Sequence, residues 1–67
     1  MTEATATTIA QQILADTRHN KSRSQVYRGI LVKNWGTSYT ITYKGRTDRY
    51  QSAYAAEGLL VDTLMEL

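Results

Sequence analysis

The side chains with the most chemical potential in this 67-residue chain are its cations: Arg18, Lys21, Arg23, Arg28, Lys33, Lys44, Arg46 and Arg49. Asp48 is the one acid between positions 18 and 49, so eight positive charges against one leave that stretch at +7, while the whole chain carries +2. Trp35, the lone tryptophan, and Tyr27, Tyr39 and Tyr43 are interleaved with these cations, and Tyr50 follows directly. Cations alternating with aromatic rings suit a polyanion, because ammonium and guanidinium groups pair with phosphates while a ring stacks on a base. On this reading Arg28, Lys33, Lys44, Arg46 and Arg49 neutralise phosphates and Trp35 stacks or wedges. Each feature also has a plain structural explanation. A one-sided sheet often carries a charged open face, and a tryptophan in a hairpin often folds back onto its sheet.

Other chemistries find little support. Cysteine is absent and histidine occurs once, at His19, which leaves no zinc ligand set and no disulfide. A nucleophile–base pair would need His19, which lies in a polar segment without rigid support. Asp62 and Glu66 are spaced i, i+4 on the polar side of a helix, where a solvated edge is the ordinary explanation. The four glycines are scattered and form no phosphate-cradling motif. Neither catalysis, a metal nor a cofactor is expected.

The elements that must position the cations read as an α+β domain spanning residues 1–67. Residues 1–6 are small and polar and are expected to fray. Ile9, Ala10, Ile13, Leu14 and Thr17 recur at helical spacing, predicting a short helix over 7–17 capped by Thr5 or Thr7. Residues 18–24 read as a basic linker, either a plain connector or a flexible arm that gathers phosphates.

From 25 to 51 the pattern is strand-like and predicts a three-stranded antiparallel meander. The first strand spans 26–33 with Gly29 as a bulge or a close backbone approach. This register places Arg28 with Val26, Ile30 and Val32, and Lys33 with Tyr27 and Leu31, unless the bulge shifts it. Residues 34–37 turn the chain. In the second strand Tyr39, Ile41 and Tyr43 share a face opposite Thr40, Thr42 and Lys44. Lys44-Gly45 is a tight turn into the third strand over 46–51, where Thr47, Arg49 and Gln51 lie opposite Arg46, Asp48 and Tyr50. If Thr40, Thr42, Lys44, Arg49 and Arg28 share the side away from the helix, that surface is polar and cationic.

Ser52 reads as the N-cap of a C-terminal helix over 52–67. Its apolar positions Ala56, Leu59, Leu60, Thr63, Leu64 and Leu67 follow an amphipathic template and place it across one face of the sheet. A second stripe, Tyr54, Val61 and Met65, needs cover from the N-terminal helix or from a second copy in a homodimer.

Tyr27-Arg28-Gly29, Trp35-Gly36, Gly45-Arg46 and Ala55-Ala56-Glu57, set on strands followed by a helix, resemble the ethylene-response-factor (Apetala-type) DNA-binding domain. They also resemble the related arm-binding domain of tyrosine recombinases. The resemblance covers about residues 27–67. It implies a three-stranded sheet on one helix that lays Arg28 and Trp35 in the major groove, with Arg46 near the backbone. The first strand departs from that pattern, because Ile30, Leu31 and Val32 follow Gly29 where the family is richer in arginine.

The sequence therefore points to a small nucleic-acid-binding protein, with DNA ahead of RNA, acting as an accessory or regulatory factor of a phage or mobile element. The alternative is a non-enzymatic interaction module, an adaptor or inhibitor whose basic segment meets an acidic protein partner. No apolar run reaches the ~20 residues of a membrane span, and the N-terminus lacks a basic-then-apolar signal. A cytoplasmic protein without membrane partners is expected.

Overall fold

The computed structural model describes all 67 residues. The order is α1 (Glu3–His19), β1 (Ser24–Tyr27), β2 (Ile30–Asn34), β3 (Tyr39–Tyr43), β4 (Arg46–Tyr50) and α2 (Ala53–Met65). The fold is α+β, as the sequence implies, with four strands where three were expected. They form one antiparallel meander in the order β1-β2-β3-β4.

The extra strand comes from Arg28-Gly29. Both residues have positive φ, 49° and 85°, which is the signature of a two-residue type I′ hairpin turn whose twist matches the strands it joins. The predicted first strand is thus two strands folded back on each other, with Val26 opposite Leu31 and Tyr27 opposite Ile30. Lys44-Gly45, with φ of 51° and 78°, turns β3 into β4 in the same way.

An even number of antiparallel strands returns the chain to the end of the sheet where it entered. The two helices therefore lie antiparallel on one face, α1 over β1 and β2, α2 over β3 and β4, and against each other. α1 is longer than the spacing of its large apolar residues predicts. Thr2 rather than Thr5 or Thr7 caps it, its Oγ1 accepting from the Thr5 backbone N–H at 3.2 Å. Ser52 caps α2 as expected, accepting from the Ala55 N–H at 3.2 Å.

The core lies between the layers: Ala6, Ala10, Ile13 and Leu14 from α1, Ile30, Val32 and Ile41 from the sheet, and Ala56, Leu60 and Leu64 from α2. Alanines at three of these positions let the helix backbones approach closely. Buried Thr17 and Thr63 return their hydroxyls to the Leu14 and Leu59 carbonyls of their own helices, so neither is left unpaired. With α1 packed on α2, Val61 joins the margin of the core. Tyr54 and Met65 stay outside it, Tyr54 at 91% exposure.

Candidate nucleic-acid interface

Strand register assigns every sheet side chain to a face. Toward the helices point Gln25, Tyr27, Ile30, Val32, Asn34, Tyr39, Ile41, Tyr43, Asp48 and Tyr50, with Arg46. Away from them run two cross-strand rows: Ser24–Lys33–Thr40–Arg49 and Val26–Leu31–Thr42–Thr47. The rows contain no carboxylate.

Tyr27, Tyr39 and Tyr43, which interleave with the cations in the sequence, and Tyr50, which follows them, pack against the core from the helix side. Their spacing is that of a buried face. Of the aromatic residues in the basic segment, only Trp35 remains for the outer surface.

Trp35 is fixed there by its surroundings. Its indole Nε1–H donates to Thr40 Oγ1 at 2.9 Å, and its backbone N–H donates to the Ser38 carbonyl at 2.9 Å. The turn around it is closed by Asn34 Oδ1, which accepts from the Gly36 N–H at 2.8 Å, Gly36 taking φ of 91°. Arg49 Nη1 donates to Ser38 Oγ at 3.0 Å and so ties β4 to the same turn. The ring covers Thr40, which is 9% exposed, yet is itself 52% exposed. It therefore folds back on the sheet while leaving half its surface in solvent.

Two cations approach this ring from the strands on either side of Thr40. Lys33 Nζ lies 4.5 Å from the ring centroid and the Arg49 guanidinium carbon 5.8 Å. Contacts of this kind are worth about 0.5–1 kcal/mol at exposed sites. Lys33, Trp35 and Arg49 are thus assembled into one cluster, with Val26 and Leu31 forming an apolar patch in the next row. Val26 is 62% exposed.

The remaining expected contacts lie elsewhere. Arg28 and Lys44 occupy the two hairpin turns at the far end of the sheet from Trp35. Neither stands on the outer face, and Lys44 leans toward the helix side, its Nζ 5.3 Å from the Tyr43 ring centroid and its side chain lining a groove with Arg46 and Glu66. Arg46 belongs to the helix-bearing side of edge strand β4, where its Nε pairs with Asp48 Oδ2 at 3.3 Å. The surface of Thr40, Thr42 and Arg49 therefore forms as expected, without Arg28 and Lys44 as members and with Lys33 in their place.

The basic segment before the sheet is no loose arm. Asn20 Nδ2 donates to the Ser24 carbonyl at 2.8 Å and to Gln25 Oε1 at 2.9 Å, and the Asn34 N–H donates to the Arg23 carbonyl at 2.7 Å. Sequence reasoning missed Val26 and Leu31 as outer-face neighbours because the hairpin at Arg28-Gly29 reverses which residues share a side. The signal was available, since Arg28-Gly29 has the same basic-residue-then-glycine form as Lys44-Gly45.

The acids gather on the helix-bearing side of the molecule. Five of the six acids, Glu3, Asp16, Glu57, Asp62 and Glu66, lie on the helices or at the C-cap of α2. Glu3, Glu57 and Asp62 line an open groove between α1 and α2 together with Tyr54 and Val61. No helix is long and apolar enough to cross a membrane. Searches of family models, of curated proteins and of solved structures found no match to this chain.

Proposed function

We propose that this chain is a small nucleic-acid-binding protein that engages its ligand through the outer face of the four-stranded sheet. The observation that carries this reading is the Lys33–Trp35–Arg49 cluster, a fixed and half-exposed indole between two cations on a face without a carboxylate. Guanidinium and ammonium groups supply phosphate contacts, and the ring supplies a stacking surface that any base can use. Arg28, in the first hairpin turn, adds to the positive field at the far end of the sheet.

A protein partner with an acidic surface is the second reading. Val26 and Leu31 favour it, because adjoining apolar side chains beside cations can form the dry centre of a small interface. Salt separates the two. Binding of labelled oligonucleotides, followed by fluorescence anisotropy from low to physiological salt, is expected to fall linearly on a log–log plot. The slope should be about −0.7 per contacted phosphate on single strands and about −0.9 on duplex. Replacing both Lys33 and Arg49 by glutamine should flatten that slope by two phosphates' worth, about 1.4 to 1.8. Absence of binding at low salt would overturn the nucleic-acid reading and leave the acidic partner.

A further inference from the structure

We infer that the outer face takes a single strand in preference to a duplex, with one base stacked on the Trp35 indole. The inference rests on the nucleic-acid reading above and adds the form of the ligand. Three features of the face carry it.

The first is breadth. Neighbouring strands lie about 4.8 Å apart, so four of them place the outer two about 14 Å from each other, before side chains are added. The major groove of a B-form duplex is about 12 Å wide and admits a helix or a two-stranded ribbon. Nothing on this side projects as such a ribbon, because the turns at Arg28-Gly29 and Lys44-Gly45 are two residues long and close directly onto the strands.

The second is the indole. In a duplex the base faces are already stacked on one another, so a surface aromatic has only an edge or a backbone to touch. In a single strand the base faces are free. Trp35 is held by its Nε1–H bond to Thr40 at 2.9 Å and by the closed turn around it, so little freedom remains for a base to remove when it stacks.

The third is the movable cover. Lys33 lies over the ring at 4.5 Å, and an exposed contact of that kind is worth about a 2- to 5-fold factor. Base–aromatic stacking is worth about 5- to 150-fold. A base therefore displaces the lysine, and the freed ammonium meets the phosphate of the same nucleotide. Arg49, fastened to Ser38, stays as the second cation. One row further along, Val26 and Leu31 offer an apolar seat for the neighbouring sugar or base.

Trp35 is the only tryptophan, so its emission reports on this contact alone. The test titrates the full chain with a ten-nucleotide single strand and with the matching duplex at the same salt, reading tryptophan emission and, with labelled strands, anisotropy. Trp35→Ala and Trp35→Phe are compared by anisotropy, with circular dichroism confirming their fold. The single strand is expected to bind at least tenfold more tightly than the duplex and to quench the emission. Trp35→Ala should lose about 5- to 150-fold in affinity, and Trp35→Phe should keep most of it. Duplex binding as tight as single-strand binding, or single-strand binding without a change in emission, would overturn this inference and leave the nucleic-acid reading standing. Failure of both ligands to bind at low salt would remove both.

Discussion

Trp35 shows how a few short contacts convert a flexible side chain into a fixed surface. An indole on a hairpin turn has two rotatable bonds and, without a partner, samples several positions. Here the hydrogen bond to Thr40, the turn closed by Asn34 and Ser38, and the flanking Lys33 and Arg49 restrict it to one. The Thr40 contact has a testable weight. Thr40→Val keeps the shape of the side chain but removes the acceptor, and should cost about 0.5–1.5 kcal/mol, as the loss of one partly buried hydrogen bond does. For a domain of this size, about 1 kcal/mol corresponds to a fall in Tm of roughly 4–8 °C. Hydrogen exchange of the indole N–H should accelerate in the same variant. Exchange as slow as in the parent chain would mean that Thr40 does not hold the ring.

At the scale of elements, the parts legible in the sequence were those whose pattern has one physical reading. Of the predicted helical stripe, Ala56, Leu60, Thr63 and Leu64 are buried and Leu59 is half-buried, while Leu67 lies past the end of α2 and is exposed. On the predicted strand face Ile41 is buried and Tyr39 and Tyr43 are half-buried. The start of α1 was harder to see because its early core positions are alanines. Ala6, Ala10, Ile13, Leu14 and Thr17 form a regular helical stripe once alanine is counted as apolar, and the helix runs from Glu3. The first hairpin was obscured because apolar residues flank Arg28-Gly29 on both sides, so the segment reads as one continuous strand. The site divided in the same way. Arg49, Thr40 and Thr42 were placed correctly by alternation, and so were Tyr39 and Tyr43 on the face opposite them; the interleaving of tyrosines with cations along the chain does not carry over to one surface.

The same turns yield a prediction. Arg28 and Lys44 hold left-handed backbone conformations that asparagine tolerates better than other side chains, and Asn-Gly is the preferred pair in such turns. Arg28→Asn should therefore stabilise the fold by up to about 1 kcal/mol, seen as a raised Tm. Lys44→Asn should gain less, because it also gives up the lysine over the Tyr43 ring, a contact worth about 0.5–1 kcal/mol. A larger gain at Lys44 than at Arg28 would mean that the ring contact contributes nothing.

The whole molecule is electrically two-sided. The helices and the C-cap of α2 carry five acids with Arg18 as their one permanent cation, and the outer face of the sheet carries cations alone, while Lys44 and Arg46 lie on the helix side beside Glu66 and Asp48. A polyanion approaching such a molecule is turned toward the sheet before contact, and that steering weakens as salt screens it. The same asymmetry disfavours the groove between the helices as a phosphate site, because Glu3, Glu57 and Asp62 line it. Edge strand β4 is charged through Arg46, Asp48 and Arg49, and β1 is four residues long, two devices that limit edge-to-edge pairing between copies.

The central claim is that one face of this molecule meets nucleic acid and the other does not, and amide chemical-shift mapping reads both faces at once. Titration of isotope-labelled protein with a short single-stranded oligonucleotide at low salt should shift the Trp35 indole N–H and the backbone amides around Lys33, Thr40, Thr47 and Arg49. Val26 and Leu31 should follow, while amides around Glu57 and Asp62 on α2 should stay in place. Shifts concentrated on the helices, or a spectrum unchanged at saturating oligonucleotide, would contradict the account.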